Sequence, residues 1–192
     1  RLSFGGVPFL LPLLLQLIFK YSAQLSGLLL APIALGVFAA KPLSFKILRF
    51  LGYKKLLLLN TLLISASLGS FALIGPDTSL YVIGVLTFIY GFFVALQYTG
   101  MNSMAYANVQ DSDVSTATSI MSTAQQLAQS FGVAVSAILV SFFIYEFSNE
   151  MGLTLETFQE TFGVLTILTL LSGIVFLKMK EGDGKELIGD SN

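Results

Sequence analysis

Apolar residues run along this chain in long blocks, and the charged residues stand between the blocks rather than inside them. A helix crossing the hydrocarbon layer needs about 20 mostly apolar residues, and a charge at its centre costs about 2.5 to 3.5 kcal/mol on insertion scales. The gaps between charges therefore mark candidate spans. Arg1 to Lys20, Lys20 to Lys41, Lys55 to Asp77 and Glu160 to Lys178 each enclose one such stretch. Asp77 to Asp111 and Asp113 to Glu146 enclose uncharged stretches of roughly 30 residues, each enough for one long or tilted helix. The pattern predicts an all-α membrane protein, a six-helix transmembrane bundle over residues 1–178, with approximate spans 2–19, 22–40, 56–75, 80–106, 115–144 and 159–177. A buried soluble bundle would be equally apolar inside but needs a polar outer face, which these stretches do not show.

The connections fit this ladder. Gly75-Pro76-Asp77-Thr78 reads as a tight turn, because Pro presets one turn dihedral and Gly tolerates another. Asp111-Ser112-Asp113 and Ser115 offer short side-chain oxygens that can cap the fifth span. Residues 179–192 are polar and Gly-rich, and are expected to be a disordered cytoplasmic tail.

Orientation follows from the bases, since Lys and Arg in short loops stay on the cytoplasmic side. Placing Arg1 inside also puts Lys41, Lys46, Arg49, Lys54, Lys55, Lys178, Lys180 and Lys185 inside, and leaves only Lys20 outside. The expected topology has both ends in the cytoplasm, in a multi-pass protein of the cell inner (plasma) membrane.

Composition narrows the chemistry. With 55% hydrophobic and 11% charged residues the chain has too few charges to solvate a globule of its size. Ten basic and eleven acidic residues nearly cancel, which argues against a nucleic-acid partner. The absence of Cys and His removes thiolate and imidazole chemistry, so no cofactor, metal site or enzymatic activity is expected. The chain opens on Arg1 and reads as a piece of a longer protein.

No ionisable residue falls inside a predicted span, so amides, hydroxyls, glycines and prolines mark the interior. In the fifth span Thr118, Ser122, Gln125, Gln129, Gly132 and Ser136 recur at three- and four-residue steps, forming one stripe. Ala128, Gly132 and Ser136 add a small-residue ridge for close helix packing. The stripe fits helix packing with amide hydrogen bonds as well as a substrate wall. The fourth span repeats it with Gly84, Thr87, Gly91, Tyr98 and Asn102, with Gln97 a step round. An aromatic hydroxyl beside two amides can contact an amphipathic solute by stacking and hydrogen bonding, or can cross-link helices. In the first span Gly5, Pro8, Pro12 and Gln16 share a face, and each Pro is expected to kink the helix there. Gln16, Gln97, Tyr98, Asn102, Gln125 and Gln129 are the substrate-path candidates. In the second span Gly27, Ala31, Pro32 and Gly36 form a further packing surface.

The basic segment from Lys41 to Lys55 resembles the loop of the major facilitator superfamily that carries a Gly-x-x-x-Asp-x-x-Gly-Arg-Lys type motif between the second and third helices of each half. Gly52, Lys54 and Lys55 match its end; the Asp is absent and Pro42 lies where it would be sought, a departure that favours the C-terminal half. The stretches Gln97 to Asn102, Asp113 to Ala117 and Gln125 to Val135, with the opening Gly6 to Gln16, are similar to drug:proton antiporters of the EmrB/QacA type. The resemblance covers roughly residues 5–176.

It implies proton-coupled efflux of amphipathic small molecules or drugs by alternating access, this chain being one half. The implied partners are a small-molecule substrate, protons, membrane lipid and a missing N-terminal transmembrane half. First and fourth helices would face the cavity, second and fifth the other half, third and sixth lipid. The proton-carrying carboxylate is expected in the missing half, since none lies in a span here. Arg49, Lys54 and Lys55 are expected to hold the inner side closed or, more simply, to anchor topology against anionic lipid. A uniporter or nutrient importer of the same superfamily, or a non-transport membrane subunit, are the alternatives.

Overall fold

The computed structural model describes residues 1, 3–107, 109–147, 152–180 and 182–184. All of its regular structure is helical among these residues: α1 (Val7–Leu13), continued by a π-helical turn Leu14–Ile18, then α2 (Ala23–Ala72), α3 (Leu80–Tyr106), α4 (Val114–Phe147) and α5 (Leu155–Leu177). Four of these, α2 to α5, are long and apolar enough to cross a membrane.

The largest departure from the sequence expectation is α2, which runs for 50 residues through the segment expected to be a loop. Only Gly52 leaves helical geometry, at φ 73° and ψ 164°, a region open essentially to glycine. It divides α2 into limbs α2a (23–51) and α2b (53–72). The helix persists beyond Lys41 because Ala40, Ser44 and Leu48 recur every four residues and are buried, while Lys41, Lys46 and Arg49 point outward. Charges treated as the end of a span lie on the exposed side of a helical extension, which also carries Leu43, Phe45 and Phe50. Leu48 packs with Tyr53 and Leu56 across the break, with Met104 and Met179 against them. The first part of the expected tail returns to this cluster, where a Cβ at Gly184 would collide with the ring of Tyr53. Residues 181 and 185–192 of that tail lie outside the described residues.

The prolines of α1 act differently from each other. Pro8 sits in the first turn, where its missing N–H has no helical partner to lose, so no kink arises there. Pro12 is interior, and the helix widens after it: the Phe19 amide donates to the Leu14 carbonyl over 3.1 Å. Lys20, at φ 57°, then turns the chain into Ser22, whose hydroxyl caps α2 by accepting from the Leu25 amide. At the far end of α2b the Gly75 amide donates to Thr78 Oγ1 over 2.9 Å, closing the expected turn.

One apolar core gathers α1, α2b, α3 and α5: Leu10, Leu14, Leu68, Ile83, Phe158 and Phe162 are among its fully buried side chains. Leu15 lies there too, so the π turn is a central packing element. The third predicted span has two faces: α2b buries Asn60, Thr61, Ser65 and Leu68 on one side and exposes Leu59 and Leu62 on the other. Most hydroxyls inside the helices bond their own turn, as Thr61 does to the Leu57 carbonyl and Thr169 to Leu165. Limb α2a crosses α3 with backbones touching. A Cβ at Gly36 would overlap the Phe88 carbonyl and one at Gly91 the Ile33 carbonyl, while Thr87 donates to the Leu29 carbonyl over 2.9 Å.

Candidate functional site

Tyr98 and Asn102 lie one turn apart on the last third of α3, so both side chains leave the helix on one side. Gln125 and Gln129, also one turn apart, leave α4 toward them. Arg1, from the start of the chain, meets the α3 pair. Its guanidinium donates to Asn102 Oδ1 over 2.7 Å and lies 4.1 Å from the centre of the Tyr98 ring, a stacked cation–π placement. Gln125 Nε2 donates to the same Asn102 oxygen over 3.3 Å. Two donors on one oxygen fix the orientation of the Asn102 amide.

These groups line a cavity of about 310 Å³ to which Ser122, Gln126 and Gln129 also contribute. Ser122, Gln126 and Gln129 are exposed, so the cavity is open along α4. Its wall behind Tyr98 is rigid: Phe4 packs against the Tyr98 ring at 5.7 Å, and Tyr90 donates to the Phe4 carbonyl over 2.8 Å. Farther along α4 the start of α1 packs closely, because a Cβ at Gly6 would overlap the Ser136 hydroxyl and crowd the Gly132 carbonyl. The small-residue ridge of α4 thus seats the start of α1. Gly132 and Ser136 are spent inside this chain rather than at a seam with another bundle; Ala128 is half-buried beside them.

Four of the six expected substrate-path residues therefore meet: Tyr98, Asn102, Gln125 and Gln129. The other two do not. Gln97 faces away from the cavity and is buried against α2b, where Asn60 Nδ2 donates to Gln97 Oε1 over 2.8 Å and Gln97 Nε2 to Thr61 Oγ1 over 3.2 Å. The reason is the 100° step between neighbours on a helix: pointing Tyr98 into the cavity points Gln97 into the packing interface. Gln16 is exposed on the π turn, away from the cavity.

Two polar residues carry structure that the sequence pattern did not single out. Arg1 looked like a flanking charge, because its distance from Asn102 in sequence hides their contact. Asn60 is the one amide in the apolar run of α2b, a signal that was available; its Nδ2 also donates to the Phe93 carbonyl over 2.7 Å. No group of His, Cys, Asp or Glu that could hold a metal occurs among the described residues.

The basic segment occupies one end of the molecule. Arg49 and Lys55 are exposed and Lys54 is half-buried, on either side of the Gly52 break. Beside them Ser44, Phe45, Tyr53, Thr99, Ser103 and Tyr106 line a second cavity of about 360 Å³ between α2 and the end of α3.

Residues 1–190 match the family model described as Major Facilitator Superfamily. The "Probable transport protein HsrA" of Haemophilus influenzae is 36% identical over 187 residues, covering 97% of this chain and 40% of that protein. The "Putative multidrug resistance protein MdtD" of Pectobacterium carotovorum is 29% identical over 177 residues, covering 92% of this chain and 38% of its own length. The protein of the same name from Klebsiella pneumoniae is 24% identical over 189 residues, covering 98% of this chain and 40% of its own. The chain thus spans about two fifths of the length of these curated relatives. No solved structure matches it.

Proposed function

The chain belongs to the Major Facilitator Superfamily, and from that membership we propose that it forms one half of a proton-coupled exporter of amphipathic small molecules working by alternating access. Membership makes it a multi-pass membrane protein of a transport family, not of an enzyme family. The observation that carries the finer reading is the open cavity lined by Arg1, Tyr98, Asn102 and Gln125: a stacking ring, amides and the Ser122 hydroxyl of α4, open on the side where a second bundle would close it. Export is the direction that the printed names of the MdtD relatives favour.

Counting α1 with its π turn and the two limbs of α2 separately gives six spans for the bundle within residues 1–178. The inside end is marked by Arg49, Lys54 and Lys55, with Lys178 and Lys180 brought to the same end by the packing of Met179 on Tyr53 and Leu48. Lys20 and Asp77 stand at the opposite end, which supports both termini being cytoplasmic, in the inner membrane. The exposed apolar residues Ile120, Leu127, Phe131 and Ile138 of α4, and Leu28, Leu35 and Phe38 of α2a, are the surfaces offered to the missing half and to lipid. The membrane-embedded carboxylate that carries the proton belongs to that missing half.

The test is transport by the full-length parent protein in vesicles under an imposed pH gradient. Dye accumulation that a protonophore abolishes is the expected result. Movement of dye down its own gradient, indifferent to the protonophore, would make the protein a uniporter.

A further inference from the structure

We infer that the cavity selects amphipathic anions, with Arg1 as the residue that binds the anionic group; the inference rests on the transport reading above and narrows its substrate class. Among the described residues Arg1 is the one charged side chain lining the cavity, and no carboxylate pairs with it. A guanidinium carries five N–H donors in a fixed plane, and one contact to Asn102 uses only a part of them. The remaining donors have no hydrogen-bond partner among the described residues. Asn102 and Tyr98 hold the group from one edge and one face, so it is oriented before a ligand arrives and little side-chain entropy remains to be lost. A planar, preorganised fork is matched by a carboxylate, sulfonate or phosphate, which accepts two parallel N–H bonds.

The rest of the cavity fits the remainder of such a molecule. Ser122, Gln126 and Gln129 have no intramolecular side-chain hydrogen bond among the described residues and can donate to the same anionic group or to neighbouring oxygens. The Tyr98 ring is backed by Phe4 and offers an apolar edge. A cationic amphiphile placed here would meet Arg1 at close range with no compensating acid among the described residues that line the cavity.

The experiment uses the full-length parent protein as wild type, Arg1→Gln, Arg1→Lys and Asn102→Asp. Two probes of similar apolar bulk are compared by equilibrium dialysis: anilinonaphthalene sulfonate as the anion and tetraphenylphosphonium as the cation. Wild type is expected to bind the anion about tenfold more tightly than the cation, the scale of a charge-assisted bidentate contact. Arg1→Gln is expected to remove that preference, Arg1→Lys to keep part of it, and Asn102→Asp to cancel it by placing a carboxylate on the guanidinium. In vesicles the Arg1→Gln loss falls on KM for the anion rather than on kcat. Preference of the wild type for the cation, no binding of either probe, or equal weakening of both by Arg1→Gln overturns the inference; the last would make Arg1 a partner of a carboxylate in the other half. Anion binding that survives without any pH-driven movement overturns the transport reading instead and leaves the anion site standing.

Discussion

Arg1 and Asn102, separated by 101 positions in sequence, are joined by a 2.7 Å hydrogen bond that ties the start of the chain to the last third of α3. Through the second donor on the same oxygen, Gln125, this bond brings α4 into the assembly. Asn102 is thus the hub of the cavity. Replacing it with Ala removes the acceptor for both donors, and a hydrogen bond to a charged group is worth about 1.5 to 3 kcal/mol. The expected outcome in the full-length protein is a loss of transport for every substrate, with KM raised roughly tenfold or more and expression retained. Initial rates in vesicles check it. Wild-type rates in Asn102→Ala would remove the hub from the mechanism.

Gln97, adjacent to Tyr98 in sequence, belongs to packing. Asn60→Leu leaves the buried amide of Gln97 short of a partner, at a cost of about 1 to 3 kcal/mol. Asn60→Leu combined with Gln97→Leu replaces both members and is expected to be less destabilising than the sum of the single changes. Melting temperatures in detergent measure this. Additive losses would show that the two amides act independently.

The Gly36–Gly91 crossing has no room for a side chain. Gly91→Leu is expected to abolish a monodisperse folded product, because the Cβ meets the backbone carbonyl of Ile33 and neither helix can yield without moving the other. Gly27→Ala, in open space on the same helix as Gly36, is the control and is expected to be neutral. Size-exclusion profiles distinguish the two.

Gly52→Ala places a Cβ in a backbone region that costs about 1 to 3 kcal/mol for other residues. The helix is expected to relieve that strain by straightening, which pulls Tyr53 away from Leu48. The absence of cysteine from this chain makes paired labels at 46 and 58 free of background. A longer label distance together with a lower melting temperature is the expected result, and an unchanged distance would mean that the break is held by its surroundings.

Topology can be read with the same labels. Single cysteines at Lys55 and Lys180 are expected to react only from the cytoplasmic side and one at Asp77 only from outside. Labelling of Asp77 and Lys55 from the same side would refute the six-span arrangement.

The sequence by itself determined the helical class, the turn at Gly75 to Thr78, the long apolar helices α3 and α5, and the polar stripe of α4. Each of these rests on local physics: hydrophobic run length, turn chemistry and the 3.6-residue period. Tyr98, Asn102, Gln125 and Gln129 were legible as candidates because an amide or ring hydroxyl stands out in an apolar helix. Only the tertiary structure decided that these four face one cavity while Gln97 and Gln16 do not, since which side of a helix meets which neighbour depends on where the other helices pack. It also decided that Lys41 to Leu51 stays helical, because the burial of Ser44 and Leu48 needs the end of α3 and the returning tail as partners. Arg1 shows the limit most plainly. Its charge was visible from the first residue, but its use was fixed by Asn102, and only folding brings those two together.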